Sequence, residues 1–263
     1  MLIAHISDTH VRNLKYHWEY RQAFADLYNK LRDQKPDVIV HTGDIAHTKT
    51  QLSPEYFELT TEFLSTLADI APVIIIAGNH DGNLKNPDRQ DAITPIVTAL
   101  QHPNLTFLKN SGEYQFNDEI TFNVLSVFDR ENWVHPTDLS KINIALYHGS
   151  ISGCETGQGF KIRDGDDTSE IFKDFDYALL GDIHKPQVMD REGRVRYAGS
   201  TVQQNYGEDP RKGYLLWNIK TKEEFFVRHE VLVNPRPFLT INLTEDGELP
   251  DTHIPPNARL RVV

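Results

Sequence analysis

Residues 38–47 read VIVHTGDIAH: a β-branched run too short for a helix stops at Thr42, a glycine lets the backbone turn, and a carboxylate follows at Asp44. Working outward, the same grammar recurs as LIAHISDTH at 2–10, VIIIAGNHD at 73–81, INIALYHG at 142–149 and YALLGDIH at 177–184. Each is a short apolar strand, the five strands being Leu2 to Ile6, Val38 to His41, Val73 to Ile76, Ile142 to Tyr147 and Tyr177 to Leu180. Such runs, alternating with longer amphipathic segments, specify α/β layers around a buried sheet.

The helices follow from spacing. Tyr20, Phe24, Leu27, Tyr28 and Leu31 recur at helical intervals from Trp18 to Arg32, and Pro36 ends that run. A second helix opens at Pro54, a favoured first-turn residue, and runs to Leu67 with Phe57, Phe63, Leu64 and Leu67 near one stripe; a third follows Pro87. Each fits a crossover between parallel strands. After Gly181 the pattern changes to strands and polar turns at 195–198, 213–219 and 224–233, read as an antiparallel continuation. A Pro-rich break from Asn234 precedes strands at 238–243 and 259–263. The expectation is a main domain over 1–233 and, over 234–263, the beginning of a smaller domain truncated inside a strand.

Composition bounds the function. The 263 residues carry 27 basic and 38 acidic side chains, a net charge of −11 with neutral histidines, the opposite of a self-sufficient DNA-coating surface. A nuclease stays open, because bound divalent cations would offset part of that charge and a partner subunit could supply a cationic face. With 39% hydrophobic residues the chain is globular, and with one cysteine, Cys154, it can hold neither an intrachain disulfide nor a thiolate-rich metal site. No basic-then-apolar leader opens the sequence and no stretch approaches the ~20 apolar residues of a membrane span, so a soluble, cytoplasmic protein without membrane contact is expected.

The chemistry sits where the strands end, which is where open α/β sheets place their ligands. Asp8 and His10, Gly43-Asp44, Gly78 to Asp81, His148-Gly149, and Gly181-Asp182 with His184 all offer oxygen or imidazole donors there. Such an array suits two divalent cations roughly 3.5 to 4 Å apart, which lower the pKa of a shared water so that hydroxide forms near neutrality. Mixed carboxylate, amide and imidazole donors favour Mn2+, with Mg2+, Fe2+ or Zn2+ also compatible. Hydrolysis of a phosphate ester is the expected reaction.

In this order, D-x-H, G-D, G-N-H-D, H-G and G-x-x-H resemble the calcineurin-like metallophosphoesterase superfamily. The text around them, HTGDIAH at 41–47, GDIHKPQ at 181–187 and YAGSTVQQNYGE at 197–208, is similar to its SbcD-type nucleases, a group that includes phage recombination nucleases. The resemblance implies a four-layer αββα sandwich followed by the start of a DNA-capping domain. It assigns Asp8, His10 and His184 to one metal, Asn79, His148 and Asp182 to the other, and Asp44 to the bridge. His80 would stand beside the scissile phosphate, and His47 near it. It further implies a di-manganese DNA exonuclease and endonuclease of double-strand-break repair or recombination, acting on single- or double-stranded ends, as a homodimer with an SbcC-type SMC-like ATPase.

One position departs from that pattern: the superfamily usually has histidine where this chain has Asp182. With Asp8 and Asp44 it makes three carboxylates, which leave +1 on two divalent ions, a weaker Lewis acid leaning to hard ions such as Mn or Mg. Two other readings share these residues: a small-molecule phosphodiesterase or phosphatase, and a non-catalytic scaffold for a DNA end or partner. Lys15, Lys161, Arg163, Lys185 and Tyr206 are candidate substrate contacts, with Trp133, Arg211 and Lys212 beside them. His5 and His41 lie inside apolar strands and read as structural, Cys154 as a small loop residue, and Asp164, Asp166 and Asp167 as a solvated acidic loop.

Overall fold

A computed structural model describes residues 1–263. In chain order the elements are β1 (Leu2–Ile6), α1 (His17–Gln34), β2 (Val38–His41), α2 (Pro54–Ile70), β3 (Val73–Ile76), α3 (Thr94–Leu100), β4 (Leu105–Leu108), β5 (Gly112–Gln115), β6 (Ile120–Leu125) and β7 (Ile142–His148). They continue as β8 (Tyr177–Gly181), β9 (Gln187–Val188), β10 (Val195–Tyr197), β11 (Gly213–Ile219), β12 (Phe225–Val231), β13 (Phe238–Ile241) and β14 (Arg259–Val262). Two six-stranded sheets form, ordered β12-β11-β1-β2-β3-β4 and β5-β6-β7-β8-β10-β9, plus a two-stranded sheet of β13 and β14.

Strands β1 to β4 run parallel and β11 joins β1 antiparallel, so α1, α2 and α3 are the crossovers the spacing predicts. Successive residues of each strand face opposite cores. Ile3, Val38, Val40, Ile74 and Ile76, with Trp217 of β11, point to the second sheet and share a core with Phe122, Val124, Ile144, Leu146 and Leu179. Ala4, Ile6, Ile39, Val73 and Ile75 point the other way, onto Phe24, Leu27, Phe63 and Leu67 of the helices. Burial on both faces is why these strands read as unbroken apolar runs. Phe24 and Phe63 stack at 4.3 Å where α1 meets α2.

All three α-helices cover the first sheet. The fourth layer, over the outer face of the second sheet, is built from single-turn helices at Arg130–Asn132 and Ser169–Phe172 and from loops that bring Ile151, Cys154 and Phe172 against Ala145, Tyr147, Ala178 and Tyr197. Cys154 is thus a core residue there. No helix is long and apolar enough to cross a membrane.

Three local expectations change. The third helix starts at Thr94, not just past Pro87, because the Asp91 carboxylate accepts from the backbone N–H of Ile93 (2.9 Å) and Thr94 (2.6 Å) and closes a turn immediately before it. The continuation after Gly181 is antiparallel at β11 and β12, but β10 pairs parallel with β8. Strands β4, β5 and β6 enter without a counterpart in the sequence reading; in β6 the buried Asn123 breaks the apolar run and donates to Asn143 of β7 at 3.4 Å.

Residues 234–263 add the parallel pair β13 and β14. Arg259 lies over the rings of Tyr16 (4.4 Å) and Phe238 (4.7 Å) and pairs with Glu19 of α1. The side-chain amide of Gln203 holds this segment from beneath: its Oε1 accepts from Phe238 N and Asn234 Nδ2, each at 2.9 Å, and its Nε2 donates to Phe238 O and to Glu208 O, each also at 2.9 Å.

Candidate metal centre

The five strand ends converge. Asp8, His10, Asp44 and Asp182 each carry a left-handed backbone, with φ of 49°, 47°, 58° and 92°, so half of the chain's eight non-glycine residues with positive φ fall here. Such conformations cost ~1–3 kcal/mol each and persist only where surrounding structure dictates them. Here backbone bonds do so: Asp8 N donates to Gly43 O (3.1 Å), His10 N to Asp44 O (2.9 Å), and Asp182 N to the Asp8 carboxylate (3.1 Å). Asp81 adds a buckle by accepting from the backbone N–H of Asp44, Ala46 and Gly78 at 2.8–2.9 Å, tying the end of β2 to the end of β3. Gly43, at φ 95°, is required twice over, since a Cβ there would sit 2.6 Å from His148 Nδ1.

Two donor clusters share Asp44. His10 Nε2 stands 3.0 Å from His184 Nε2, 3.5 Å from Asp44 Oδ2 and 3.8 Å from Asp8 Oδ1. On the other side His148 Nε2 stands 3.4 Å from Asp44 Oδ1 and 3.8 Å from Asp182 Oδ1. Asn79 Nδ2 donates to Asp182 Oδ1 at 3.2 Å, which leaves Asn79 Oδ1 without a partner. That oxygen and His148 Nε2 are both buried and unpaired, a costly state for polar atoms unless a cation takes them up. Triples that could grip an ion are Asp8, His10 and His184; Asp8, Asp44 and His148; and His10, Asp44 and His80. Asp182 stands outside these triples, its Oδ1 3.8 Å from His148 Nε2.

The imidazoles are oriented by what their other nitrogen does. His148 Nδ1 donates to Thr42 O at 2.7 Å and His184 Nδ1 to Glu208 Oε1 at 2.8 Å, so each presents Nε2 inward. His80 is exposed at the mouth, its Nδ1 donating to His47 O at 2.8 Å and its ring 5.0 Å from that of His10. Arg12 Nη1 donates to His47 Nε2 at 3.1 Å.

The electrostatics are those of a cation cavity. Burial raises the Asp8 carboxyl, and it raises Asp182 to about 6, with Asp8 and Asp44 adding repulsion against the pull of His148. Burial also opposes ionisation of Asp44, yet His148, His10 and His80 outweigh it and hold that carboxyl well below its usual range. Burial works against a charged His148 too, and the surrounding carboxylates, Asp44 foremost, override it and raise its pKa. Burial and Arg12 lower His47 to about 4, so it is uncharged at neutral pH.

The predicted metal residues and His80 and His47 are therefore brought together; most of the predicted substrate contacts are not. Lys185 is paired with Glu155 at 2.8 Å, Tyr206 packs edge-on against Phe238 at 5.0 Å, and Lys161 and Arg163 line a separate hollow with Phe160 and Asp164. Lys15 is exposed before α1. Lys212, read as a phosphate contact, is instead buried against Glu208 at 3.0 Å, because that carboxylate needs its charge. Asp167 is likewise held by Arg130 and the Tyr147 hydroxyl, each at 2.6 Å, rather than solvated. Glu208 and Arg12 are the neighbours of the site that the sequence motifs do not single out, and Asp81, which they include only as the last residue of Gly78 to Asp81, holds strand ends together rather than facing an ion; Glu208 closes the YAGSTVQQNYGE stretch, the one hint available.

Residues 1–186 match the calcineurin-like phosphoesterase family, and the chain belongs to it. That family uses a dinuclear metal site to hydrolyse phosphoesters, and the paired clusters about Asp44 fit one. The chain is 38% identical over 276 residues to uncharacterized protein R555 of Acanthamoeba polyphaga mimivirus, matching 99% of this chain and 20% of that protein. It is 24% identical to the SbcD component of nuclease SbcCD of Staphylococcus epidermidis, over 93% of this chain and 72% of that one. It is also 24% identical to the DNA double-strand break repair protein Mre11 of Haloferax volcanii, over 93% and 55%. Among solved structures its fold is similar to a dimetal phosphatase from Danio rerio, with a TM-score of 0.51 and 9% identity over 86% of this chain and 98% of that one. The chain spans only part of the length of each of these curated relatives.

Proposed function

We propose that this metallophosphoesterase is a DNA nuclease that cuts phosphodiester bonds at single- or double-stranded ends in break repair or recombination, as the nuclease component of an SbcCD-type complex. The observation that carries the hydrolytic part is Asp44, whose two oxygens face His10 on one side and His148 on the other. The similarity to SbcD and Mre11 over 93% of the chain supports DNA as substrate, an SbcC-type ATPase and a second copy of this chain as partners, and residues 234–263 as the start of a capping domain.

In this reading Asp8, His10 and His184 hold one cation, Asn79, His148 and Asp182 the other, and Asp44 both, with Mn2+ favoured. Two such ions would supply Lewis acidity to the phosphoryl group and lower the pKa of water toward neutrality. His80, anchored through Nδ1 to His47 O, keeps Nε2 free for the leaving sugar oxygen or a phosphoryl oxygen. His47 positions His80 through its main-chain carbonyl, and its own ring, neutral near pH 7, is held by Arg12.

The net charge of −11 and the pairing of Lys185, Arg211 and Lys212 with acids favour a second reading, a phosphodiesterase or phosphatase of small molecules. Mn2+-dependent cleavage of end-labelled single- and double-stranded DNA, beside an aryl phosphodiester and with His80→Ala as control, separates the two. Polymer cleavage lost in the variant is expected; cleavage of the aryl ester alone would move the assignment to the second reading.

A further inference from the structure

We propose that Glu208 and Lys212 form a buried positioning pair that presets His184 and so governs the retention of one of the two cations, the one assigned to Asp8, His10 and His184. This rests on the metal assignment above. Both carboxylate oxygens of Glu208 are committed: Oε1 accepts from His184 Nδ1 (2.8 Å) and Asn205 Nδ2 (2.9 Å), while Oε2 accepts from Lys212 Nζ and Gln204 N (each 3.0 Å). Lys212 Nζ also donates to the backbone carbonyl of His184 at 2.7 Å. His184 is therefore gripped at its ring by the carboxylate and at its main chain by the ammonium, and both gripping side chains are almost fully buried.

The asymmetry with the other cluster is what gives the pair its consequence. His148 donates its Nδ1–H to a neutral carbonyl, that of Thr42, and His10 Nδ1 has no partner at all. Among the clustered imidazoles only His184 is backed by a carboxylate, which fixes the tautomer with its lone pair on Nε2 and strengthens that nitrogen as a donor. Loss of such a partner typically weakens metal affinity ~10–100-fold, and here it should do so at one ion only.

The test is a Mn2+ titration of the intact chain by calorimetry, with Glu208→Gln compared to wild type. Gln keeps the shape and an oxygen for His184 but not the charge. One of two binding steps is expected to weaken about 10–100-fold while the other stays within about twofold. In the metal-free protein, long-range nitrogen–proton spectra are expected to show His184 with its proton on Nδ1 in wild type and a tautomer mixture in the variant. Should Glu208→Gln fail to fold because the buried Lys212 ammonium loses its counter-charge, Glu208→Gln/Lys212→Met removes that charge and is expected to show the same single-step loss. Equal weakening of both steps, or no change in either, overturns the positioning role. No Mn2+ bound by wild type would overturn the metal assignment with it.

Discussion

Acidification from pH 7 to pH 5 is expected to weaken the fold through two histidines remote from solvent. His5 in β1 and His41 in β2 are fully buried; His5 Nε2 lies 3.0 Å from Thr42 Oγ1 and His41 Nε2 lies 2.7 Å from Thr9 Oγ1. Burial lowers both to about 3, with His41 adding repulsion on His5 and His148 adding it on His41. In the unfolded chain each has its ordinary value near 6.5. The folded value is the lower one, so the unfolded chain binds more protons below pH 6.5. The stabilisation is complete above that pH and is lost as pH falls from 6.5 toward 3. At about 1.4 kcal/mol per pH unit, each histidine removes about 2 kcal/mol at pH 5, a sizeable part of the ~5–15 kcal/mol that holds a domain together. The assay is urea unfolding at pH 5, 6 and 7 in EDTA for wild type and His5→Gln, whose amide can still reach Thr42 without titrating. Wild type should lose about 2 kcal/mol more than the variant between pH 7 and pH 5. Parallel pH profiles would refute the reasoning.

Three further outcomes follow from the geometry. His80→Ala should lower turnover of an aryl phosphodiester ~100- to 10,000-fold while leaving the Mn2+ titration unchanged, and a weakened titration would show that its place is in metal binding instead. Phe63→Ala, which removes a ring stacked on Phe24, should cost ~3–5 kcal/mol in urea unfolding, and a loss below about 1 kcal/mol would mean that the interface of α1 and α2 recloses. Asp182→His exchanges a hard oxygen donor for imidazole, so competition binding should show Zn2+ gaining on Mn2+; an unaltered ratio would place Asp182 outside the coordination sphere.

What was legible in the sequence was the part buried on both faces. Five strands announce themselves because no solvent face interrupts Val38 to Val40 or Val73 to Ile76, and the donors follow directly because each comes a few residues after such a run. The sheet edge is quieter, since Gly112–Gln115 alternates between half-buried and exposed; one strand in, the buried run Ile120–Leu125 is masked by Asn123, which breaks it with a hydrogen bond that only the fold supplies. The outer layer of the second sheet is silent for a related reason, since Ile151, Cys154 and Phe172 are too far apart to mark a helix. Glu208 and Arg12 reach the site through contacts across 24 and 35 positions, and no spacing rule connects residues joined only by the return of the chain.

Gln203 couples two parts of the chain mechanically. Its single amide is shared between the strand that opens the C-terminal segment and the carbonyl of Glu208, so the two behave as one linked body. Lifting β13 from Tyr16 and Tyr206 must either strip a buried amide of its partners or drag the 203–208 turn along with it. Tension applied beyond residue 238 is thereby delivered five residues along, next to the carboxylate that steadies His184, without any helix or domain needing to move as a lever.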